Sequence, residues 1–253
     1  MNFIDLLKLM KHKKASDLFV TAGVAPSIKV DGKIMPVTKQ ALTPEQSRAF
    51  AYGIMNEDQR RQFEANNECN FAIYPKEIGR FRVNIFMQQG CVGMVLRTIE
   101  TKIPKFDELN LPKVLADIAL TKRGLVIFVG ATGSGKSTSL AAMVGYRNEY
   151  SYGHIITIED PVEYVHDHKN CVVTQREVGV DTQSWENALK NTLRQAPDVI
   201  LIGEVRARET MDYAIQFAET GHLCLCTLHA NSANQALDRI INFFPEEKRQ
   251  QLF

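Results

Sequence analysis

The chain has 253 residues, of which 45% are hydrophobic and 23% are charged, a composition typical of a globular protein with a buried core. Its 30 basic residues are balanced by 29 acidic residues, and this leaves no excess charge to neutralise a phosphate backbone, so we expect no nucleic-acid partner. No apolar stretch approaches the ~18 residues of a membrane span, and the N-terminus lacks the layout of a secretion signal. We therefore expect a cytoplasmic protein without a membrane span.

The cysteines point to the same compartment. They are scattered and form no C-x-x-C pair, which is typical of a reducing environment and disfavours a zinc site. Two of them alternate in a predicted strand, so we expect both to point to one buried face as small apolar side chains. The set comprises Cys69, Cys91, Cys171, Cys224 and Cys226, and the alternating pair is the last two.

Residues 1–100 contain short elements and tight turns, and we predict a small α+β domain. An opening helix is indicated by the helical spacing of Phe3, Leu6, Leu7 and Met10. Residues 27–37 predict a hairpin around Asp31-Gly32. Thr43, Pro44 and Gln46 supply an N-cap, a first-turn proline and a capping box, which start a second helix. An antiparallel meander is predicted at residues 71–73, 80–87 and 92–99.

Residues 101–112 carry prolines without a clear period, so we predict a linker there. Beyond it, apolar strands alternate with helices, and one helical pattern ends at Gly221. The predicted strands are residues 125–129, 154–158, 199–202 and 223–227. This alternation predicts an α/β fold with a parallel sheet covered by helices on both sides.

The most informative stretch is residues 130–138, GATGSGKST, which satisfy every position of the phosphate-loop motif G-x-x-x-x-G-K-[ST]. Glycines let main-chain N–H groups crowd around phosphates, the following helix offers its positive N-terminus, and Lys136 adds a full charge. A chance Gly/Ser loop is disfavoured by the strand before it and the helix after it. We expect bound ATP, with Ser137 as a Mg²⁺ ligand. The predicted nucleotide-binding residues are Thr132, Gly133, Ser134, Gly135, Lys136, Ser137 and Thr138.

Carboxylates and a histidine follow the other predicted strands. The C-terminal ends of parallel strands share one edge of the sheet, so these residues should converge on the phosphate loop. Glu159 is a candidate to activate water, with a structural salt bridge as its alternative. Glu204 ends a Walker B-like strand in which Gly203 replaces the usual aspartate, and a surface carboxylate is the alternative. His229 is the third candidate.

Arginines in the first domain form another candidate group. An arginine finger accelerates phosphoryl transfer by about 10³ to 10⁵, and an ATPase with a separate domain invites a search for one. Arg80 and Arg82 share a strand face, and Arg97 lies on the next predicted strand. Arg82 and Arg97 could face the nucleotide. On pattern alone, solvated edge-strand arginines that deter aggregation are favoured instead.

Four ordered motifs resemble the Walker A, Asp box, Walker B and His box of the secretion-superfamily hexameric ATPases. They are residues 130–138, residues 156–163 (ITIEDPVE), residues 203–206 (GEVR), and Gly221-His222 with residues 227–229 (TLH). The resemblance extends over nearly the whole chain and is strongest to the type IV pilus retraction ATPases of the PilT and PilU kind. Residues 209–231 and 242–245 resemble the PilU branch more than the PilT branch.

That resemblance implies a PAS-like domain at residues 1–100 and a RecA-like P-loop NTPase core at residues 113–253, without the family's C-terminal helical region. It implies Glu159 as the catalytic glutamate, Glu204 as the Walker B acid at Mg²⁺, and His229 as a phosphate-facing residue. It also implies that Arg82 and Arg97 are arginine fingers. It also implies a homo-hexamer that works with a PilT-like retraction ATPase on the inner-membrane platform protein, in the cytoplasm at the pilus base.

Two positions depart from the family pattern. Ala196 stands where PilT-like chains usually carry an acid, and Ala207 stands where many members have aspartate. We predict a Mg²⁺-dependent ATPase motor for pilus retraction and twitching motility. The alternative is an ATP-binding adaptor that docks on a PilT-like ring with little turnover of its own. A metabolic kinase is disfavoured, because no acceptor pocket is recognisable.

Overall fold

The computed structural model describes residues 2–99 and 103–246. The chain divides into two compact units, Met1–Glu100 and Thr101–Phe253, and each is described by itself. Within the described residues, no helix combines the length and the apolar character needed to cross a membrane.

An antiparallel sheet organises the first unit. Its elements are α1 (Phe3–Lys13), β1 (Asp17–Val20), β2 (Ser27–Val30), β3 (Lys33–Pro36), α2 (Pro44–Ile54), α3 (Glu57–Asn66), β4 (Glu68–Ile73), β5 (Arg80–Gln88) and β6 (Cys91–Ile99). The six strands lie in the order β3-β2-β1-β6-β5-β4. The predicted opening helix, hairpin, second helix and meander are confirmed, whereas β1 and α3 were not predicted. The PAS-like character of this unit stays a prediction.

Local chemistry explains the elements that the sequence revealed. Both turn residues of the β2–β3 hairpin have positive φ, 48° at Asp31 and 78° at Gly32, as a tight hairpin turn requires. At the start of α2, the Thr43 hydroxyl accepts from the Gln46 N–H while Gln46 accepts from the Thr43 N–H. This reciprocal pair satisfies two N–H groups that have no partner within the helix.

A parallel sheet forms the centre of the second unit and confirms the predicted α/β fold. Its elements are α4 (Val114–Ala119), β7 (Gly124–Val129), α5 (Lys136–Tyr150), β8 (Gly153–Glu159), β9 (Cys171–Glu177), α6 (Trp185–Thr192), β10 (Val199–Ile202), α7 (Arg208–Glu219), β11 (Leu223–Leu228) and α8 (Ala233–Phe243). The five strands lie in the order β7-β11-β10-β8-β9, and every neighbouring pair is parallel. The four predicted strands are present, and β9 was missed.

Helices cover both faces of this sheet, as predicted. On one face Ile156 packs in a core with residues of α6, α7 and α8, and on the other Ile155 packs in a core with residues of α5. Cys224 and Cys226 both lie in the first of these cores and are fully buried, which confirms their expected common face. Burial raises the pKa of the Cys226 thiol to about 12, so both act as apolar side chains.

The predicted linker at residues 101–112 overlaps this unit. Residues 101–102 lie outside the described residues, but Phe106–Leu109 form a short 3-10 helix. The Phe106 ring packs 5.5 Å from the Tyr146 ring of α5, between ring centres. The segment from residue 103 therefore packs on the parallel-sheet unit. Residues 247–253, at the other end of the predicted ATPase core, lie outside the described residues.

Candidate active site

A cleft of about 290 Å³ lies at the C-terminal edge of the parallel sheet. Four strands end at this cleft. The residues that we expected there, because the C-terminal ends of parallel strands share one edge of the sheet, are present. Among the predicted site residues, those that line the cleft are Thr132, Gly133, Gly135, Lys136, Ser137, Thr138, Glu159, Glu204 and His229. Asp160 and Thr227 line it as well.

The loop between β7 and α5 has the geometry of an anion cradle. Gly133 and Gly135 adopt positive φ values of 78° and 91°, which glycine tolerates without strain. At Gly130 a methyl group would collide with the Ser134 hydroxyl, so a larger residue here would require the Ser134 side chain to move. Ser134 thus packs inside the loop, while its neighbours line the cleft. The Lys136 ammonium donates to the carbonyls of Gly130 and Ala131, at 2.9 and 2.8 Å, and lies over the loop.

Glu159 is the last residue of β8 and lines both the cleft and a second, smaller pocket of about 30 Å³. Its Oε1 accepts a hydrogen bond from the Thr157 hydroxyl at 2.6 Å and a longer one from the Gln175 amide at 3.4 Å. Burial raises the pKa of Glu159 to about 7, against the lowering effect of these bonds. A carboxylate with that pKa can accept a proton near neutral pH.

Glu204 follows β10, and its side chain is only 19% exposed. Oε1 lies 3.1 Å from His229 Nε2, and Oε2 lies 2.7 and 2.8 Å from two guanidinium nitrogens of Arg206. The hydrogen bond and the charge of Glu204 raise the pKa of Arg206. The surface-carboxylate alternative does not fit this arrangement, because Glu204 is largely buried and paired on both oxygens.

The donor set fits Mg²⁺ bound together with a nucleotide. Mg²⁺ prefers one or two carboxylates and hydroxyls, and takes its other ligands from substrate phosphates and water. The Ser137 hydroxyl and the Glu204 carboxylate both line the cleft beside the phosphate loop. In residues 2–99 and 103–246, no group of three or more His, Cys, Asp or Glu residues could hold a metal without such help.

The two candidate arginines lie in the first unit. Arg82 and Arg97 are direct cross-strand neighbours on β5 and β6, and Asp17 of β1 lies beside Arg97 in the same row. Arg97 Nε donates to Asp17 Oδ1 at 2.9 Å, and the Asp17 side chain is 5% exposed while that of Arg97 is 72% exposed. The alternative placed these arginines on an edge strand, which is wrong, because β5 and β6 are both interior strands of the sheet. Its other part, a solvated side chain, holds for Arg97.

Several residues around Glu159 were not singled out from the sequence. Tyr164 shares a hydrogen bond of 3.1 Å with the Thr138 hydroxyl, and Gln175 bonds the Tyr164 carbonyl. Both depend on the path of the segment between β8 and β9, which no local pattern predicts. Thr157 could have been found, since it lies two residues before Glu159 and therefore on the same strand face.

Comparison with known proteins agrees with this geometry. The family described as "Type II/IV secretion system protein" matches residues 7–249. The chain is 68% identical over its full length to "Type IV pilus ATPase PilU" of Pseudomonas aeruginosa, and covers 66% of that protein. It is 45% identical, over 98% of its length, to "Type IV pilus retractation ATPase PilT" of the same organism, and covers 72% of it.

The chain belongs to the type II/IV secretion system protein family, in its PilT/PilU branch. It spans about two thirds of the PilU relative's length. A solved structure of this family, the crystal structure of the pilus retraction motor PilT with bound ADP, matches with a TM-score of 0.95 and 42% identity. That match covers 100% of this chain and 74% of the PilT chain.

Proposed function

We propose that this chain is an ATP-hydrolysing subunit of a homo-hexameric motor that powers type IV pilus retraction. The observation that carries the proposal is the cleft, where a phosphate loop meets two carboxylates and a histidine from three other strands. Similarity to the PilU and PilT ATPases supports the same activity.

Nucleotide binding is assigned to the loop. The main-chain N–H groups around Gly133 and Gly135 surround the phosphates, and the N-terminus of α5 adds its positive dipole. When the nucleotide binds, the Lys136 ammonium leaves the carbonyls of Gly130 and Ala131 and donates to the outer phosphates instead. The Ser137 hydroxyl and the Glu204 carboxylate would hold Mg²⁺, which would neutralise charge on the phosphate oxygens.

Hydrolysis is assigned to Glu159. It orients a water and accepts its proton as the water oxygen bonds to the terminal phosphorus and the bond from phosphorus to the leaving oxygen breaks. His229 faces the terminal phosphate and donates a hydrogen bond to it, as its place beside Glu204 allows. Arg82 and Arg97 act as arginine fingers, which add positive charge to the transition state.

The remaining assignments are those that the resemblance of the sequence motifs implies. The motor works with a PilT-like retraction ATPase in the cytoplasm, on the inner-membrane platform protein at the pilus base. The adaptor alternative has one observation in its favour, since both oxygens of Glu204 are engaged by Arg206 and His229. An adaptor would bind ATP and contribute little turnover.

Turnover of the purified protein alone and mixed with a PilT-like partner separates the two functions. A motor hydrolyses ATP alone, and Lys136→Ala abolishes both nucleotide binding and hydrolysis, while the exposed control Lys190→Ala of α6 changes neither. Hydrolysis only in the mixture, unaffected by Lys136→Ala in this chain, would establish the adaptor. Unchanged hydrolysis by Lys136→Ala alone would refute the site.

A further inference from the structure

We infer that Thr157 is a positioning residue for hydrolysis, which holds the Glu159 carboxylate in the orientation that receives the proton of water. The inference rests on the proposed ATPase function. The contact that carries it is the hydrogen bond of 2.6 Å from the Thr157 hydroxyl to Glu159 Oε1.

The placement of Thr157 follows from strand geometry. Residues two apart on a strand share a face, so the side chains of Thr157 and Glu159 lie side by side along β8. β8 is bonded on both sides, with Thr157 paired to Leu201 of β10 and to Gln175 of β9. Thr157 is 1% exposed, and its branched Cβ restricts χ1, so the hydroxyl is held still.

The length of the bond distinguishes it from its neighbour. The 2.6 Å bond lies in the range of an O–H···O⁻ bond, which is about twice as strong as a neutral bond when the carboxylate is ionised. The Gln175 amide reaches the same oxygen at 3.4 Å. Gln175 makes two shorter bonds, in which it donates to the Tyr164 carbonyl at 2.8 Å and accepts from the His166 N–H at 2.7 Å. Gln175 therefore fixes the chain segment, and Thr157 fixes the carboxylate.

The chemical consequence concerns the orientation of the carboxylate. Oε1 of Glu159 accepts the Thr157 bond, and a carboxylate has about four lone-pair sites, so the held group keeps capacity to accept the proton of water. A glutamate side chain loses rotamer entropy when it is held in one orientation. Because the Thr157 bond orders the Glu159 side chain before the substrate binds, part of this entropy is already lost at that stage. A larger fraction of binding events is then productive.

Steady-state ATP hydrolysis by the assembled protein tests this role. Thr157→Val keeps the shape and removes the hydroxyl, and we expect kcat to fall about 10-fold with KM within about 2-fold, because only transition-state geometry is lost. Thr157→Ser retains the hydroxyl and restores most of kcat. Thr192→Val is the matched control, because Thr192 is also 1% exposed but its hydroxyl bonds the Ala188 carbonyl within α6.

A double-mutant cycle separates positioning from a general structural effect. If Thr157 acts through Glu159, Glu159→Gln and the double variant Glu159→Gln/Thr157→Val have the same residual kcat. An equal further loss in the Glu159→Gln background would overturn the inference, as would wild-type kcat in Thr157→Val. If Thr157→Val is not folded, Thr157→Ala and Thr157→Ser are compared instead. Absence of hydrolysis by the wild type would overturn the proposed function itself. If the wild type is active and Thr157→Val has the same kcat, only the inference about Thr157 is overturned.

Discussion

Gly203 lies against the backbone of Glu159, so closely that a methyl group at position 203 would stand 3.1 Å from the Glu159 Cα. It would also stand 3.3 Å from the Glu159 Cγ. The glycine that replaces the usual Walker B aspartate therefore makes room for the candidate general base.

We accordingly expect Gly203→Ala to displace Glu159 and to lower kcat by about 10- to 100-fold, while the nucleotide dissociation constant changes little. Gly53→Ala is the control, because nothing lies within 4 Å of a methyl group at that position of α2. Titration calorimetry and turnover measure the two quantities. Full activity of Gly203→Ala would show that the close packing is dispensable.

The pKa of Glu159 makes a second prediction, on the pH dependence of hydrolysis. Burial raises this pKa to about 7, and a general base works only when ionised. kcat/KM should therefore fall about tenfold for each pH unit below about 7, since this ratio reports on the free enzyme. Glu159→Gln should leave a small residual rate without this acid limb. A wild-type profile that is flat down to pH 5 would contradict the assignment.

The same carboxyl predicts a stability effect. Its pKa is higher in the folded protein than in the unfolded chain, so the folded state holds the proton more tightly, and stability falls as pH rises from about 4.5 to about 7. Glu159→Gln removes this cost. We expect the variant to be more stable than wild type by about 3 kcal/mol at pH 8 and by little at pH 4, measured by urea unfolding. Glu149→Gln, at an exposed salt bridge, is the control, and an identical difference at both pH values would count against buried charge as the cause.

Ala196 offers a stability prediction that is independent of the site. It adopts φ 50° and ψ 56°, the left-handed region that costs an L-residue about 1–2 kcal/mol. Ala196→Gly should therefore raise the free energy of unfolding by about 1 kcal/mol. Ala116→Gly, inside α4, should lower it by a similar amount. A loss of stability at both positions would argue against strain at Ala196.

The arginine row predicts a separation of binding from turnover. Arg82→Ala should keep the nucleotide dissociation constant within about 2-fold while lowering kcat by about 10³, as expected for an arginine finger. Arg61→Ala, at an exposed salt bridge of α3, is the control. Equal loss of binding and turnover in Arg82→Ala would refute the finger role.

Periodicity and turn chemistry predicted most of the fold. The phosphate loop, the strand-end residues and the α2 capping box are local patterns, and each occurs where expected. β9 escaped prediction because its burial alternates only over part of its length, at the edge of the sheet. Tyr164 and Gln175 escaped for another reason, because their contacts join segments whose meeting depends on the tertiary path. The Asp17–Arg97 pair spans 80 residues, a distance at which sequence pattern carries no signal.

The departures at Ala196 and Ala207 now have a structural description. Ala207 is the N-cap residue of α7 and makes no side-chain bond to the helix, whereas an aspartate there would cap it. Ala196 occupies a left-handed position that aspartate and glycine tolerate better. Both substitutions thus affect local backbone energetics, and neither removes a side chain from the cleft.

Cys224 and Cys226 lie on β11, an interior strand of the parallel sheet, with no exposed surface. Both side chains lie in the core that α6, α7 and α8 cover, so a maleimide or iodoacetamide reagent reaches them only when these helices move off that face of the sheet. Mass spectrometry of the alkylated thiols would therefore report how often this face of the parallel sheet is uncovered, without denaturant.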